Sequence, residues 1–236
     1  MKEFFDWIRS SFHLPSSRRE LLGFIKKVRP YTTNHELVRI GGQGDGGYLV
    51  PNDLEGIVAC FSPGVNNTAD FELKMAELGI PSFMADYSVD GSPIDNSLFD
   101  FEKKFLGNKI DNQYMTLEDW VSRKAPKYGD LILQMDIEGG EYPTIAAAPL
   151  EVLRRFRVIV IEFHRLRRLR DQAYFQMIAA AFDKLSKDFH IVHIHPNNYS
   201  RVGVYRGIPI PGVMEFTFLR KDRASSFLPA GLFPHP

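Results

Sequence analysis

The chain has 236 residues, is 44% hydrophobic and 25% charged, and balances acids against bases to a formal net charge of zero. That is the composition of a globular protein of one large domain, and the missing basic excess argues against general nucleic-acid binding. The single cysteine, Cys60, excludes an intrachain disulfide and makes the cytosol the expected compartment. It lies in an apolar run and reads as buried and inert rather than nucleophilic.

The first residues, MKEFFDWIRSSFHL, carry Glu3, Asp6 and Arg9 and so lack the apolar core of a signal peptide. No apolar stretch is long enough to span a bilayer. Phe4, Phe5, Trp7, Ile8 and Phe12 make one side of a short helix apolar. Such a face packs on its own domain or on a second copy, which points to a homodimer, or touches a membrane peripherally. Residues 16–29 read as a helix with Leu21, Leu22, Phe24, Ile25 and Val28 at helical spacing, ended by Pro30. In VRIGGQGDGGYLVP the glycines make tight turns, and the flanking runs predict a short hairpin over Val38–Ile40 and Tyr48–Val50. Residues 1–35 are thus a helical extension, 36–222 the main domain, and 223–236 a loop-like tail.

From Gly56 onward strands and helices alternate. GIVACF is a strand, DFELKMAELG a helix ending at Gly79, and PSFMAD a strand. FDFEKKFLG is expected to be helical. QYM is a short strand, and TLEDWVSRK a helix capped by Thr116 with Asp119 three residues on. DLILQMD is a strand, TIAAAPLEVLRRF mostly helix, VIVIEFH a strand, and Asp171 to Phe182 a helix. HIVHIH and VMEFTFLRK are the last strands, with only a Gly/Pro-rich loop between them, so they pair antiparallel. Unbroken Val/Ile/Leu runs separated by helices predict a doubly wound α/β sheet.

In such sheets ligands bind beyond the carboxyl ends of the strands. Asp86, Asp136 with Glu138, Glu162 with His164, and His193 with His195 then fall on one rim, followed by Asn197 and Asn198. Acids that continue an apolar strand are costly unless paired, solvated in a cleft or metal-bound. Glu141 can also serve simply to cap the helix it starts. A dinucleotide fold wants Gly-x-Gly-x-x-Gly after the first strand. Here Ser62-Pro63-Gly64-Val65-Asn66-Asn67 has one glycine, and Asn66 can take a left-handed conformation. Asp86 is placed to accept from ribose hydroxyls, which suits S-adenosylmethionine or NAD, and the loop argues against NAD.

The segments GQGDGGYLVP, CFSPGVNNTADFE, MADYSVD, YMTLEDWV, LQMDIEGGEY and VIVIEFH occur in that order and together resemble the FkbM-type methyltransferases. The resemblance covers roughly residues 36 to 220 and is most specific at Asp136–Glu141. It implies a class I methyltransferase (Rossmann-like) fold and S-adenosyl-L-methionine-dependent methylation of a hydroxyl, often on a sugar, glycan or natural product. By position it implies a cofactor site from Asp45, Gly46 and Tyr48, from Ser62, Gly64, Val65 and Asn66, and from Glu72, Asp86, Tyr87 and Asp136. Asn66 departs from the glycine often found there.

A sugar hydroxyl is a poor nucleophile until it loses its proton, so a base or a metal must help. Glu162 and His164 are two apart and share a strand face, and Asp136 ends the neighbouring strand. Asp136, Glu162 and His164 are therefore the expected ligands for a divalent ion, Mg²⁺ or Mn²⁺. The alternative is a metal-free hydrogen-bond network with the sugar. The expected catalytic set is Asp136 and His164, with Glu138 or His195 taking the proton. RLRRLR, Arg165 to Arg170, suits the phosphate or acid group of a nucleotide- or lipid-linked acceptor, or is solvated surface. Trp120 and Tyr142 could stack on a ligand, though Trp120 reads as core. Two rival readings use the same sheet: a nicotinamide-dependent oxidoreductase and a non-catalytic glycan-binding module.

Overall fold

The computed structural model describes residues 14–44 and 46–231. The apolar N-terminal face of Phe4, Phe5, Trp7, Ile8 and Phe12 lies outside the described residues, as does Asp45.

Helix α1 (Arg18–Lys27) opens with a capping box, in which Glu20 N donates to the Ser17 hydroxyl and Ser17 N to the Glu20 carboxylate. It buries Leu21 and Phe24. Strand β1 (Tyr31–Thr32) precedes the expected hairpin of β2 (Leu37–Ile40) and β3 (Tyr48–Pro51). Strand β4 (Ile57–Pro63), helix α2 (Asp70–Glu77) and β5 (Ser82–Ala85) follow as the apolar runs predict.

Residues 99–107 do not form the expected helix. They form β6 (Phe99–Glu102) and β7 (Phe105–Gly107). FDFE alternates aromatic and acidic side chains, a period of two that suits a half-buried strand, and β6 adds to the sheet beside β5. β7 instead pairs in parallel with β8 (Tyr114–Thr116). Thr116 caps α3 (Leu117–Lys124) by accepting from Asp119 N at 3.2 Å.

β9 (Asp130–Met135), α4 (Glu141–Ala147), α5 (Leu150–Leu153) and β10 (Phe156–Phe163) come next. A 3₁₀ turn over Leu166–Arg170, α6 (Gln172–Leu185) and β11 (Phe189–Pro196) follow. The predicted loop before the last long strand carries its own hairpin, β12 (Val202–Tyr205) and β13 (Ile208–Pro211). After β14 (Met214–Arg220), part of the tail expected to be loop forms β15 (Leu228–Pro229), antiparallel to β1.

The main sheet has seven strands in the order β11-β14-β10-β9-β4-β5-β6. Only β14 runs antiparallel to its neighbours. One face carries Phe61, Trp120, Phe156, Phe163, Phe182, Phe216 and Phe218 in a single cluster. The other packs Val158, Val160 and Leu219 against Tyr48 and Val50 of the hairpin and Phe71 and Met75 of α2. Trp120 is fully buried, edge-on to Phe61 at 4.9 Å between ring centres, so it is core. Among the described residues no helix is long and apolar enough to cross a membrane.

The strand order reverses at β4, whose chain leaves toward β5 and returns through β9. There Asp136 N donates to Pro63 O at 3.2 Å, and a Cβ on Gly64 would stand 1.5 Å from the Asp136 carbonyl oxygen. Gly64→Ala is expected to destabilise the fold by about 3 kcal/mol or more in urea unfolding. Gly23→Ala, in α1 with nothing within 4 Å of the new methyl, is expected to stabilise by about 0.5–1 kcal/mol.

Candidate functional site

The crevice opens where β4 and β9 diverge. It is an open cleft of about 470 Å³ whose lining includes Gly64, Asn66, Asp86, Ser88, Asp136 and Glu138. Phe105, Leu106 and Tyr114 close one side, and Gly139, Gly140 and Arg165 the other. Asn66 is left-handed at φ 47°, which turns its N–H toward the Asp86 carboxylate at 3.2 Å. The other Asp86 oxygen accepts from Ser88 N at 2.7 Å and Ser88 Oγ at 2.6 Å. Asp86 is thereby fixed at the end of β5 with acceptor capacity left over.

A second hollow of about 100 Å³ shares Gly64, Asn66 and Asp136 with the first and adds Gly46, Tyr48, Val65, Glu72 and Gln134. Beneath it runs a buried polar chain. Gln134 Nε2 donates to Tyr48 Oη at 3.3 Å, and Ser62 Oγ donates to Gln134 Oε1 at 2.6 Å. Ser62 also bonds Glu72. One hydroxyl proton cannot serve both acceptors. Burial raises the Glu72 pKa against the pull of Ser62, which favours the form of the acid that can itself donate to Ser62. Burial, with Asp136, Glu162 and Glu215 nearby, likewise pushes the Tyr48 phenol well up.

The acids gather on the far side of Asp136. His164 stands at the end of β10 with Nδ1 3.0 Å from Glu141 Oε1 and 3.2 Å from the Glu162 carbonyl oxygen. Its Nε2 faces Glu138 Oε2 at 3.5 Å, Asp136 Oδ1 at 3.6 Å and Glu162 Oε1 at 3.7 Å. One imidazole is thus ringed by four carboxylates. Glu141 is fully buried, and the same Oε1 accepts from Gly139 N at 3.0 Å. It ties down the turn before its helix and also sets which ring nitrogen of His164 faces the cleft. Burial opposes charge on His164, but the Glu141 hydrogen bond and the fields of Glu141, Asp136 and Glu138 outweigh it and raise the pKa to about 9.

Ligand atoms of Asp136, Glu138 and His164 all lie within 4.8 Å of one another, a spacing that fits a metal ion. Glu162, expected in that set, stands behind it with Oε1 accepting from Asn197 Nδ2 at 3.0 Å. Asn197 also makes its turn, accepting from Tyr199 N at 2.8 Å. His195 is placed apart: on β11 it is opposite Glu215 of β14, which is opposite Glu162 of β10. Tyr87 packs on Phe105 at 5.3 Å rather than lining the cleft. Tyr142 is buried and donates its hydroxyl to His164 O at 2.6 Å, so its face is taken by the core and it does not stack on a ligand.

Ser88, Phe105 and Tyr114 also line the cleft and were not expected there, and Arg165, first of the RLRRLR run expected to suit an anionic group of the acceptor, lines it as well. The alternation in FDFE followed by Phe105 was the available signal for the two aromatics. Glu141's grip on His164 joins residues far apart in the chain and leaves no local signature.

Strand order, the lone antiparallel strand and a ligand crevice at the switch point define a class I methyltransferase fold. The family description "Methyltransferase FkbM domain" matches residues 66–191, over half of the chain, and the chain belongs to that family. It is an S-adenosylmethionine-dependent methyltransferase, and the nicotinamide-dependent reading gives way. Among solved structures it is similar to a magnesium protoporphyrin IX methyltransferase from Synechocystis PCC 6803 with bound SAH, at 12% identity over 72% of this chain and 76% of that one, TM-score 0.38. A structure from work on conversion of a disulfide bond into a thioacetal group during echinomycin biosynthesis is similar at 16% identity over 71% and 78%, TM-score 0.34. No curated protein matches the chain in sequence.

The raised His164 pKa has a definite consequence for stability. A histidine held above its unfolded value of 6.5 stabilises the fold fully below that pH and loses this contribution as pH rises through about 9. With chelator present, the urea midpoint should fall across that window, and His164→Gln should remove the slope.

Proposed function

We propose that the chain methylates a hydroxyl oxygen of a sugar or glycan, with a divalent cation, Mg²⁺ or Mn²⁺, held at the acid cluster. The observation that carries this reading is the convergence of Asp136, Glu138 and His164 within 4.8 Å at the edge of the cleft. Hard carboxylate oxygens with one imidazole suit such an ion. Asp136, Glu138 and His164 would hold it, and Glu162 is near enough to join. When bound, the ion supplies Lewis-acid polarisation that lowers the pKa of a chelated hydroxyl. S-adenosylmethionine supplies an electrophilic methyl on sulfonium.

The chain's own residues do the positioning. Asp86, anchored by Asn66 and Ser88, offers acceptors for the ribose hydroxyls. Gly64 has no Cβ and lets the ends of β4 and β9 close up beside the hollow that would take the cofactor. Gly46, Tyr48, Ser62, Val65 and Glu72 shape or support the smaller hollow beside it. Asp136 belongs to the wall of both hollows and to the acid cluster, so donor and acceptor meet at its side chain. Glu138, with a side chain 86% exposed, would ligate the ion through one carboxylate oxygen and take the hydroxyl proton on the other as the carbon–oxygen bond forms and the carbon–sulfur bond breaks. His195, on β11 beyond the intervening β14, stands outside this set. Holding the two reactants in line supplies several kcal/mol of the barrier reduction, on the order found for oriented reactants.

Labelled S-adenosylmethionine offered with a panel of sugars and cell-surface glycans tests the reading. Methyl transfer is expected to stop on complete chelation and return with Mn²⁺. Unchanged transfer after chelation would remove the ion. Asp136→Asn should lower kcat by about 10²-fold or more while SAH still raises the melting temperature.

A further inference from the structure

The acid cluster has an unusual neighbour. Arg165 follows β10 directly in a left-handed conformation, φ 59°, which costs a non-glycine residue about 1 kcal/mol. Its side chain lies over Gly139, where a Cβ would stand 2.7 Å from Arg165 Nε. A side chain at position 139 would thus drive the guanidinium out of the cleft it lines. Exposed, and beside several carboxylates, Arg165 has no ion pair within 4 Å and no side-chain hydrogen bond among the described residues. The carboxylates are turned toward His164 instead.

The surrounding surface has the same sign. Leu166 N donates to Gly212 O at 2.9 Å and Gly212 N to Arg201 O at 3.1 Å, which joins the β12–β13 hairpin to the turn after β10. Arg167 lies against Gly203 and Gly212 of that hairpin. Across residues 165–170 and 196–213 there are arginines at 165, 167, 168, 170, 201 and 206 and no acid. Of these, Arg168 is committed to Asp171 and to the ring of Tyr174, Arg170 also pairs with Asp171, and Arg206 bonds Tyr205. In a chain of zero net charge this is a local excess, set next to the catalytic acids.

We infer that the acceptor carries an anionic group, a phosphate or a carboxylate, and that Arg165 binds it beside the hydroxyl that is methylated. This rests on the methyl-transfer reading above and adds the charge class of the substrate to it. A guanidinium presents a planar fork that matches either oxyanion and stays charged at any working pH. The carboxylate cluster, net negative by itself, would repel such an acceptor. Arg165 supplies the local attraction that lets an anion approach, and the bound ion of the proposed site works in the same direction.

The test is calorimetric titration of the SAH- and Mn²⁺-loaded protein with methyl glucoside, methyl glucuronoside and glucose 6-phosphate. Both anionic probes are expected to bind about tenfold tighter than the neutral one, as for a charge-assisted hydrogen bond. The tighter of the two distinguishes carboxylate from phosphate. Arg165→Asn, which tolerates the left-handed backbone, should erase the preference, and Arg165→Lys should restore part of it. Equal binding of all three probes, or binding of none, would overturn the inference. So would an Arg165→Asn protein that loses Mn²⁺ or SAH affinity and keeps the preference. Label transfer to no sugar in the wider panel would count against the proposed acceptor chemistry and not against the anion preference, which is read from binding alone.

Discussion

The contact between the ends of β4 and β9 is the constraint on which the site depends. Asp136 N reaches Pro63 O, and Gly64 sits against the Asp136 carbonyl with no room for a side chain. This closeness makes one residue serve two spaces. On one side Asp136 walls the hollows that suit a methyl donor. On the other it joins Glu138 and His164. Had the strands separated here by the width of one side chain, the reactants would be held by different walls with independent motions. Oriented reactions lose rate quickly when the relative position of the partners relaxes.

Electrostatics at the site follow from burial more than from the number of charges. Glu141 has no exposed surface, and a carboxyl group there needs hydrogen bonds from within the protein. It receives them from Gly139 N, Ile137 N and His164 Nδ1. The imidazole is thereby oriented, and its free nitrogen points at the more exposed Asp136 and Glu138. In the Glu72–Ser62–Gln134–Tyr48 chain burial also acts on an acid, raising the Glu72 pKa against the pull of the Ser62 hydroxyl.

Much of this was legible in the chain. Continuous apolar runs marked the central strands because both faces of the sheet are covered. The acids that interrupt those runs, Asp86, Asp136 and Glu162, marked the rim because strand ends in this fold face the crevice. What failed has physical reasons. FDFEKKFLG has the charged composition of a surface helix, and its two-residue alternation was outweighed, so the aromatic wall of Phe105 and Tyr114 went unseen. The i, i+2 spacing put Glu162 and His164 on one side correctly but could not tell which acids meet Nε2, since Glu138 arrives through a left-handed turn at φ 56°. Pairing across β14 separates His195 from the cluster, and nothing in HIVHIH announces that an intervening strand will be inserted.

That inserted strand has a consequence for how such a protein can diversify. β11 and β14 remain paired up to Pro196 and Met214, so everything between leaves and re-enters the sheet at adjacent points. Ring closure of this kind depends only weakly on the number of residues in the excursion. The tip of the hairpin can therefore vary in length without disturbing the pairing below it, provided Asn197 keeps its bond to Glu162 and Ile208 and Ile210 keep their places in the core. A scaffold arranged in this way leaves the strand ends fixed while a short stretch of surface chain is free to drift.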